Sequence, residues 1–302
     1  GVQTCALPIL RVLLFGANGQ VGVEVQRSAN AAGAEVFPVD RALCDLTKDR
    51  APSRFIEATN PDVVINAAAY TAVDKAESDE ETAQAVNAAA PGEMAMACAE
   101  LGVPFVHFST DYVFNGEGSR PYLETDAPAP LGVYGRTKFE GERAVIAAGG
   151  VHAILRLSWV FSSHGANFVK TMLRYGVERD VMRVVADQRG KPTPAAAAAA
   201  ASLVVARALM DAPALSGVYH FAGDEETTWA DFAAAIFKTA GMNVAVERIA
   251  TADYPTPAKR PNYSVMDTRL FEETFGFAAP SWRDGLRAVI AELGAQRAGE
   301  SS

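Results

Sequence analysis

The sequence has few of the residues that staple or metallate a fold. Its three cysteines, Cys5, Cys44 and Cys98, are an odd number without metal-ligand spacing, and its four histidines, at 107, 152, 164 and 220, show no HExxH-type clustering. Both features argue against a disulfide framework and a zinc site, and the expectation is a reducing, cytoplasmic setting with no metal among the site residues. Basic residues are outnumbered too, 27 Lys and Arg against 36 Asp and Glu, which leaves −9 at neutral pH. That balance gives no electrostatic footprint for nucleic acid or an anionic membrane. Long apolar runs are missing as well. The longest weakly polar stretch, 195–206, is mostly alanine, contains Ser202 and is followed by Arg207, so it is too short and too mildly apolar to span a bilayer. Residues 1–8 have neither the charged start nor the apolar run of a secretory signal and are expected to be a non-domain N-terminal extension.

What is present is a chain of 302 residues, 49% of them hydrophobic, enough for a substantial core. Short apolar runs at 10–15, 36–39, 63–65, 103–108 and 154–157 alternate with alanine-rich segments of helical spacing, such as 81–101 and 138–148. Continuous runs of this length suit buried parallel strands, and their alternation with helices predicts an α/β, Rossmann-like doubly wound parallel sheet. After residue 158 the rhythm becomes irregular, with prolines at 192, 194, 255, 257 and 261. The expected division is a dinucleotide-binding domain over 9–158 and a smaller, interleaved C-terminal substrate domain over 159–302. Late elements near 181–186 and 217–222 are expected to return to the sheet. Thr228 followed by Trp229, Phe232, Ala233, Ile236 and Phe237, with Gly241 beyond, predicts one capped amphipathic helix. The seven alanines at 195–201 are explained by helix propensity alone.

The chemistry-bearing residues sit at the ends of the predicted strands. Gly16, Gly19 and Gly22 form a GxxGxxG turn directly after the first strand, where glycine lets backbone N–H groups approach a pyrophosphate at a helix N-terminus. Asp40 closes the second strand, where a carboxylate meets an adenosine ribose, and Arg41 beside it could meet a 2′-phosphate. The third strand ends in Asn66-Ala67-Ala68-Ala69, small enough for a flat cofactor, and the fourth ends in Ser109-Thr110-Asp111-Tyr112. Tyr134 and Lys138 share one helix face, so the Lys138 ammonium is expected to lower the Tyr134 phenol from its normal value near 10.

With these residues in order the chain resembles the extended short-chain dehydrogenases/reductases, and within them the branch that reduces dTDP-4-dehydrorhamnose. The similarity runs from Leu10 to about Leu293 and is most specific at 14–22, 66–77, 109–114 and 133–138, with later matches at 156–161, Asn167-Phe168 and 260–264. It implies a catalytic set of Thr110, Tyr134 and Lys138 acting on the C4 ketone of a dTDP-sugar, dTDP-4-dehydro-L-rhamnose, with NADPH or NADH. It implies cofactor contacts from Gly16, Gly19, Gln20, Val21, Asp40, Arg41, Asp45, Leu46, Ala67, Ala68, Ala69 and Thr71, joined by Tyr134 and Lys138. Substrate contacts would come from Val73, Thr110, Asp111, Tyr112, Trp159 and Asn167, with Arg260 a candidate for the diphosphate.

Two departures from the family pattern stand out. The first eight residues have no counterpart, and of the glutamates through which some members bridge a dimer with Mg2+, Glu24 has a match whereas Ala196 lies in the alanine tract. A homodimer therefore remains an expectation without a metal bridge. Two rival readings are a sugar-nucleotide epimerase or dehydratase of the same superfamily, and a non-catalytic regulatory subunit of the methionine adenosyltransferase type. Retention of Thr110, Tyr134 and Lys138 argues against the second.

Overall fold

The computed structural model describes residues 9–300, with side chains to 296, so the expected N-terminal extension and Cys5 lie outside the described residues. The apolar runs become strands β1 (Leu10–Phe15), β2 (Ala34–Val39), β3 (Val63–Asn66), β4 (Phe105–Thr110) and β5 (His152–Leu157). Later come β6 (Val160–Phe161), β7 (Val181–Val185), β8 (Arg189–Gly190), β9 (Thr193–Pro194), β10 (Gly217–His220), β11 (Thr227–Thr228) and β12 (Ala245–Ile249). The helices of the first half are α1 (Gln20–Ala29), α2 (Ala51–Thr59), α3 (Val73–Ala76), α4 (Glu80–Gln84), α5 (Ala90–Leu101) and α6 (Val133–Ala147). Those of the second are α7 (Phe168–Gly176), α8 (Ala195–Asp211), α9 (Trp229–Thr239), α10 (Arg269–Phe275) and α11 (Trp282–Glu300).

Six strands form one parallel sheet in the order β10-β5-β4-β3-β1-β2. Both faces are covered, which is why its central strands are mostly apolar. Val12 and Leu14 point into a core shared with α1, α8 and α10, while Leu13 and Phe15 point into one shared with α2, α5 and α6. Each such fully buried side chain contributes about 1.5–3 kcal/mol relative to exposure. The chain leaves β1 for β2 on one side and returns to β3 on the other, so a topological switch point opens above the carboxyl ends of β1 and β3.

The second half differs from the expected division in two respects. Residues 217–220 do join the sheet as its edge strand against β5, but 181–185 do not: β7 pairs in parallel with β12 as a separate two-stranded sheet. The place beside β5 is already taken by β10. Conversely, α8 belongs to the sheet although it lies beyond residue 158, because its alanines let it pack closely on α1 and the strands. Apart from α10, which also packs on the sheet, much of this half is a lobe around Phe161, Val169, Met172, Phe232, Phe237 and Trp282, contributed by β6, α7, α9 and α11. As the sequence predicts, the Thr228 hydroxyl caps α9 by accepting the Asp231 N–H at 3.1 Å. The helical segment expected over 81–101 contains a π-helical turn at Ala85–Ala89. There the buried Asn87 amide bonds both backbone groups of Tyr70 and the Thr137 hydroxyl, tying the loop after β3 to α6.

Candidate active site

The glycine turn begins at Gly16, whose φ of +79° is a left-handed conformation that other residues adopt at a cost. A Cβ there would also collide with the Ala67-Ala68 backbone, so the alanine run after β3 and the first turn are packed main chain to main chain. Gly19 caps α1 in extended conformation with no side-chain cap, which leaves the first N–H groups of that helix for a ligand.

Across the switch point, β4 delivers Thr110 and Asp111, and α6 delivers Tyr134 and, one turn on, Lys138. The Thr110 hydroxyl donates to Asp111 Oδ1 at 3.1 Å, accepts from the Tyr112 N–H at 3.2 Å and interacts with the Tyr134 hydroxyl. Asp111 is buried, its Oδ2 has no hydrogen-bond partner among the described residues, and burial pushes its carboxyl up to about 7. Below Lys138, the buried Glu142 carboxylate accepts from Ser109 Oγ at 2.5 Å and receives Arg156 at 2.9 and 2.7 Å, fastening α6 to β4 and β5.

The expected lowering of the Tyr134 phenol is not found. Desolvation drives it up to about 12. The Lys138 amine instead donates to the Phe108 carbonyl at 2.6 Å and lies 3.3 Å from His107 Nε2, and its burial lowers it to about 8.

Gly16, Gly19, Thr110, Asp111, Tyr134 and Lys138 all border one cleft of about 1700 Å³. That exceeds the roughly 300–1,000 Å³ of a single small-molecule pocket and offers room for two nucleotide ligands side by side. The residues named from the sequence for cofactor, substrate or chemistry line it, except Gly22, which packs against the Gly16 and Ala17 backbone, and Asn66, which is buried. Several of them are already engaged within the chain, among them Asn167, Arg260 and Asp40. Asn167 caps α7 through its Oδ1, and its amide N–H groups go to Gln20 Oε1 at 2.9 Å and the Ser162 carbonyl at 2.8 Å. Arg260 is held in a two-pronged ion pair by Asp74, at 3.0 and 2.8 Å, rather than standing free for a phosphate. Asp40 accepts the Ala42 and Leu43 N–H groups through Oδ1 and the Asn18 amide through Oδ2, bonds that hold its carboxyl below the usual range.

Sequence reasoning passed over two residues. Trp229, named from the sequence only as part of an amphipathic helix, stacks on Trp159 with centroids 3.6 Å apart and planes 9° apart, and both line the cleft. Trp159 itself has a φ of +46°, a strained conformation for a bulky side chain. His107 is completely buried within β4, and its signal was a polar residue inside an otherwise apolar run.

The structure also brings Glu24, His164 and Glu292 together, a grouping the sequence spacing had not suggested. Arg27 stands among them, its Nη1 at 3.3 Å from Glu24, 2.9 Å from Glu292 and 3.0 Å from His164 Nε2. A guanidinium at that position supplies the positive charge, and Ala196 is exposed on α8 without a ligand atom. The arrangement therefore does not fit Mg2+. No helix among the described residues is long and apolar enough to cross a membrane.

A glycine turn packed on the strand end beside it, with a hydroxyl, a tyrosine and a lysine facing the same cleft, defines an extended short-chain dehydrogenase/reductase. Residues 10–295 match the family described as RmlD substrate binding domain. The dTDP-4-dehydrorhamnose reductase of Escherichia coli K12 is 41% identical over 295 residues, 94% of this chain and 98% of that protein. The crystal structure of such a reductase from Clostridium acetobutylicum superimposes with a TM-score of 0.88 at 38% identity, covering 94% of this chain and 100% of the other. That of the Bacillus anthracis reductase in complex with NADP gives 0.86 at 36%, covering 94% and 99%. The chain belongs to the dTDP-4-dehydrorhamnose reductase family.

Proposed function

We propose that this chain reduces the C4 ketone of dTDP-4-dehydro-L-rhamnose to give dTDP-L-rhamnose, a precursor of surface polysaccharide, using a reduced nicotinamide cofactor. The observation that carries this reading is the convergence of Thr110, Tyr134 and Lys138 on a single cleft large enough for both ligands. The site fits the cofactor because a backbone cradle at Gly16, which any Cβ would fill, lies at the open N-terminus of α1. When bound, the reduced nicotinamide supplies the hydride. Tyr134, kept protonated by its surroundings, gives its proton to the C4 oxygen, and the Thr110 hydroxyl turns from Asp111 to the same oxygen. Lys138, with a proton affinity lowered to about 8, restores the proton to Tyr134 near neutral pH. Trp159 and Trp229 form an aromatic wall for the sugar nucleotide.

Cofactor choice is dual in this reading: Asp40 favours a free ribose hydroxyl and Arg41 a 2′-phosphate, and their opposite charges partly cancel. The test is loss of reduced nicotinamide with NADPH and NADH, each against a panel of dTDP-4-keto sugars and a UDP-hexose. Turnover confined to the dTDP-4-keto sugars, with kcat/KM for the two cofactors within about tenfold, or about 1.4 kcal/mol, agrees with it. Equilibration of the UDP-hexose without net oxidation would favour the epimerase alternative.

A further inference from the structure

Hydrogen-bond accounting around Lys138 leads to a pair of residues outside the reacting set. The Ala68 N–H donates to Asn66 Oδ1 at 3.0 Å, which fixes the direction of the buried Asn66 amide. Its Nδ2 therefore faces His107 Nδ1, 3.1 Å away, as a donor. Neutral imidazole carries one proton, and with Nδ1 accepting, that proton belongs on Nε2. Nε2 in turn faces Lys138 Nζ at 3.3 Å. An ammonium, which has only donors, would meet another donor there. A neutral amine accepts the Nε2–H, donates one N–H to the Phe108 carbonyl at 2.6 Å and keeps a second N–H for a ligand.

We propose that Asn66 and His107 are positioning residues that present a hydrogen-bond donor to Lys138 and so favour its neutral amine. Their role is to let Lys138 exchange a proton readily instead of remaining a fixed cation, and it rests on the reading of Tyr134 and Lys138 as the pair that handles the proton. Burial acts in the same direction, holding His107 well below its usual range and lowering Lys138. The titratable and charged groups around Lys138 are His107 on β4, Tyr134 and Glu142 one turn to either side on α6, and, beyond Glu142, Arg156 on β5. Glu142 favours the ammonium, but its carboxylate is shared with Arg156 and Ser109.

The tautomer is read directly by nitrogen NMR on the full chain labelled with [15N]histidine, the His107 signals being assigned by their loss in His107→Gln. A protonated Nε2 and a bare Nδ1 are expected, and a protonated Nδ1 would overturn the proposal. Asn66→Asp replaces the donor by a carboxylate that accepts from Nδ1–H, which turns Nε2 into an acceptor for the ammonium. In that variant the proton affinity of Lys138, followed through its Cε resonance, should rise about tenfold, one pH unit, and the pH profile of kcat/KM should move with it. An unmoved Lys138 titration and profile would also overturn it. Full turnover by Lys138→Met would sink the underlying reading of the site instead, while leaving the histidine tautomer as found.

Discussion

A Cβ added to Gly16 would stand 2.7 Å from the carbonyl oxygen of Ala67, so the glycine turn and the end of β3 meet with no room for a side chain. Gly16→Ala must part these two backbones, and it also forces a left-handed conformation costing about 1–2 kcal/mol. The variant should bind NADPH at least about tenfold more weakly by fluorescence titration. Unchanged affinity would show that the cofactor is held elsewhere.

Tyr134 owes its high proton affinity to desolvation, which makes it an acid in the resting site and a poor stable anion. Tyr134→Phe should therefore lower kcat by roughly 10²- to 10⁴-fold while leaving the dissociation constant for NADPH within about threefold. Turnover at the wild-type rate would remove Tyr134 as proton donor.

The ion pair between Arg260 and Asp74 links the loop before α10 to α3 at the cleft wall. If Arg260 also meets the substrate diphosphate, Arg260→Ala should raise KM for the dTDP-sugar about tenfold more than KM for NADPH, and Asp74→Asn, which frees the guanidinium, should leave sugar binding equal or tighter. Equal losses for both ligands in both variants would reduce the pair to a structural tie.

Asp111 gives the site a pH signature. Burial pushes its carboxyl up to about 7 in the folded chain, against an ordinary value of 3.8, so between those values only the unfolded chain has released the proton. Stability from this group is thus lost as pH rises through that window. Asp111→Asn removes the dependence, and its urea midpoint should gain on wild type at about pH 8 relative to about pH 5, alongside a fall in kcat/KM. A difference that is the same at both pH values would contradict the assignment.

The parts of this architecture that repeat in sequence were legible there. The apolar runs marked five sheet strands, and the glycine spacing, strand-end residues and Tyr134/Lys138 spacing all converge on one cleft. What escaped depends on tertiary pairing. Nothing local distinguishes Val181–Val185, which pairs with β12, from a strand of the main sheet, because both are short apolar runs. The engagement of Arg260 by Asp74 spans 186 positions, and that of Asn167 by Gln20 spans 147, beyond any motif. The Tyr134 proton affinity departs from the expectation because helix spacing gives adjacency but says nothing of the burial that raises it, nor of the Phe108 carbonyl and His107 that claim the Lys138 amine.

The most direct test of the account follows an isotope. The protein is incubated with dTDP-4-dehydro-L-rhamnose and NADPH carrying deuterium at the transferable position of the nicotinamide, and the sugar product is read by NMR and mass spectrometry. The account predicts one deuterium at C4 of dTDP-L-rhamnose for each NADPH oxidised, with little or none in Tyr134→Phe run for the same time. Sugar recovered without deuterium at C4, or epimerised with no NADPH consumed, would contradict it.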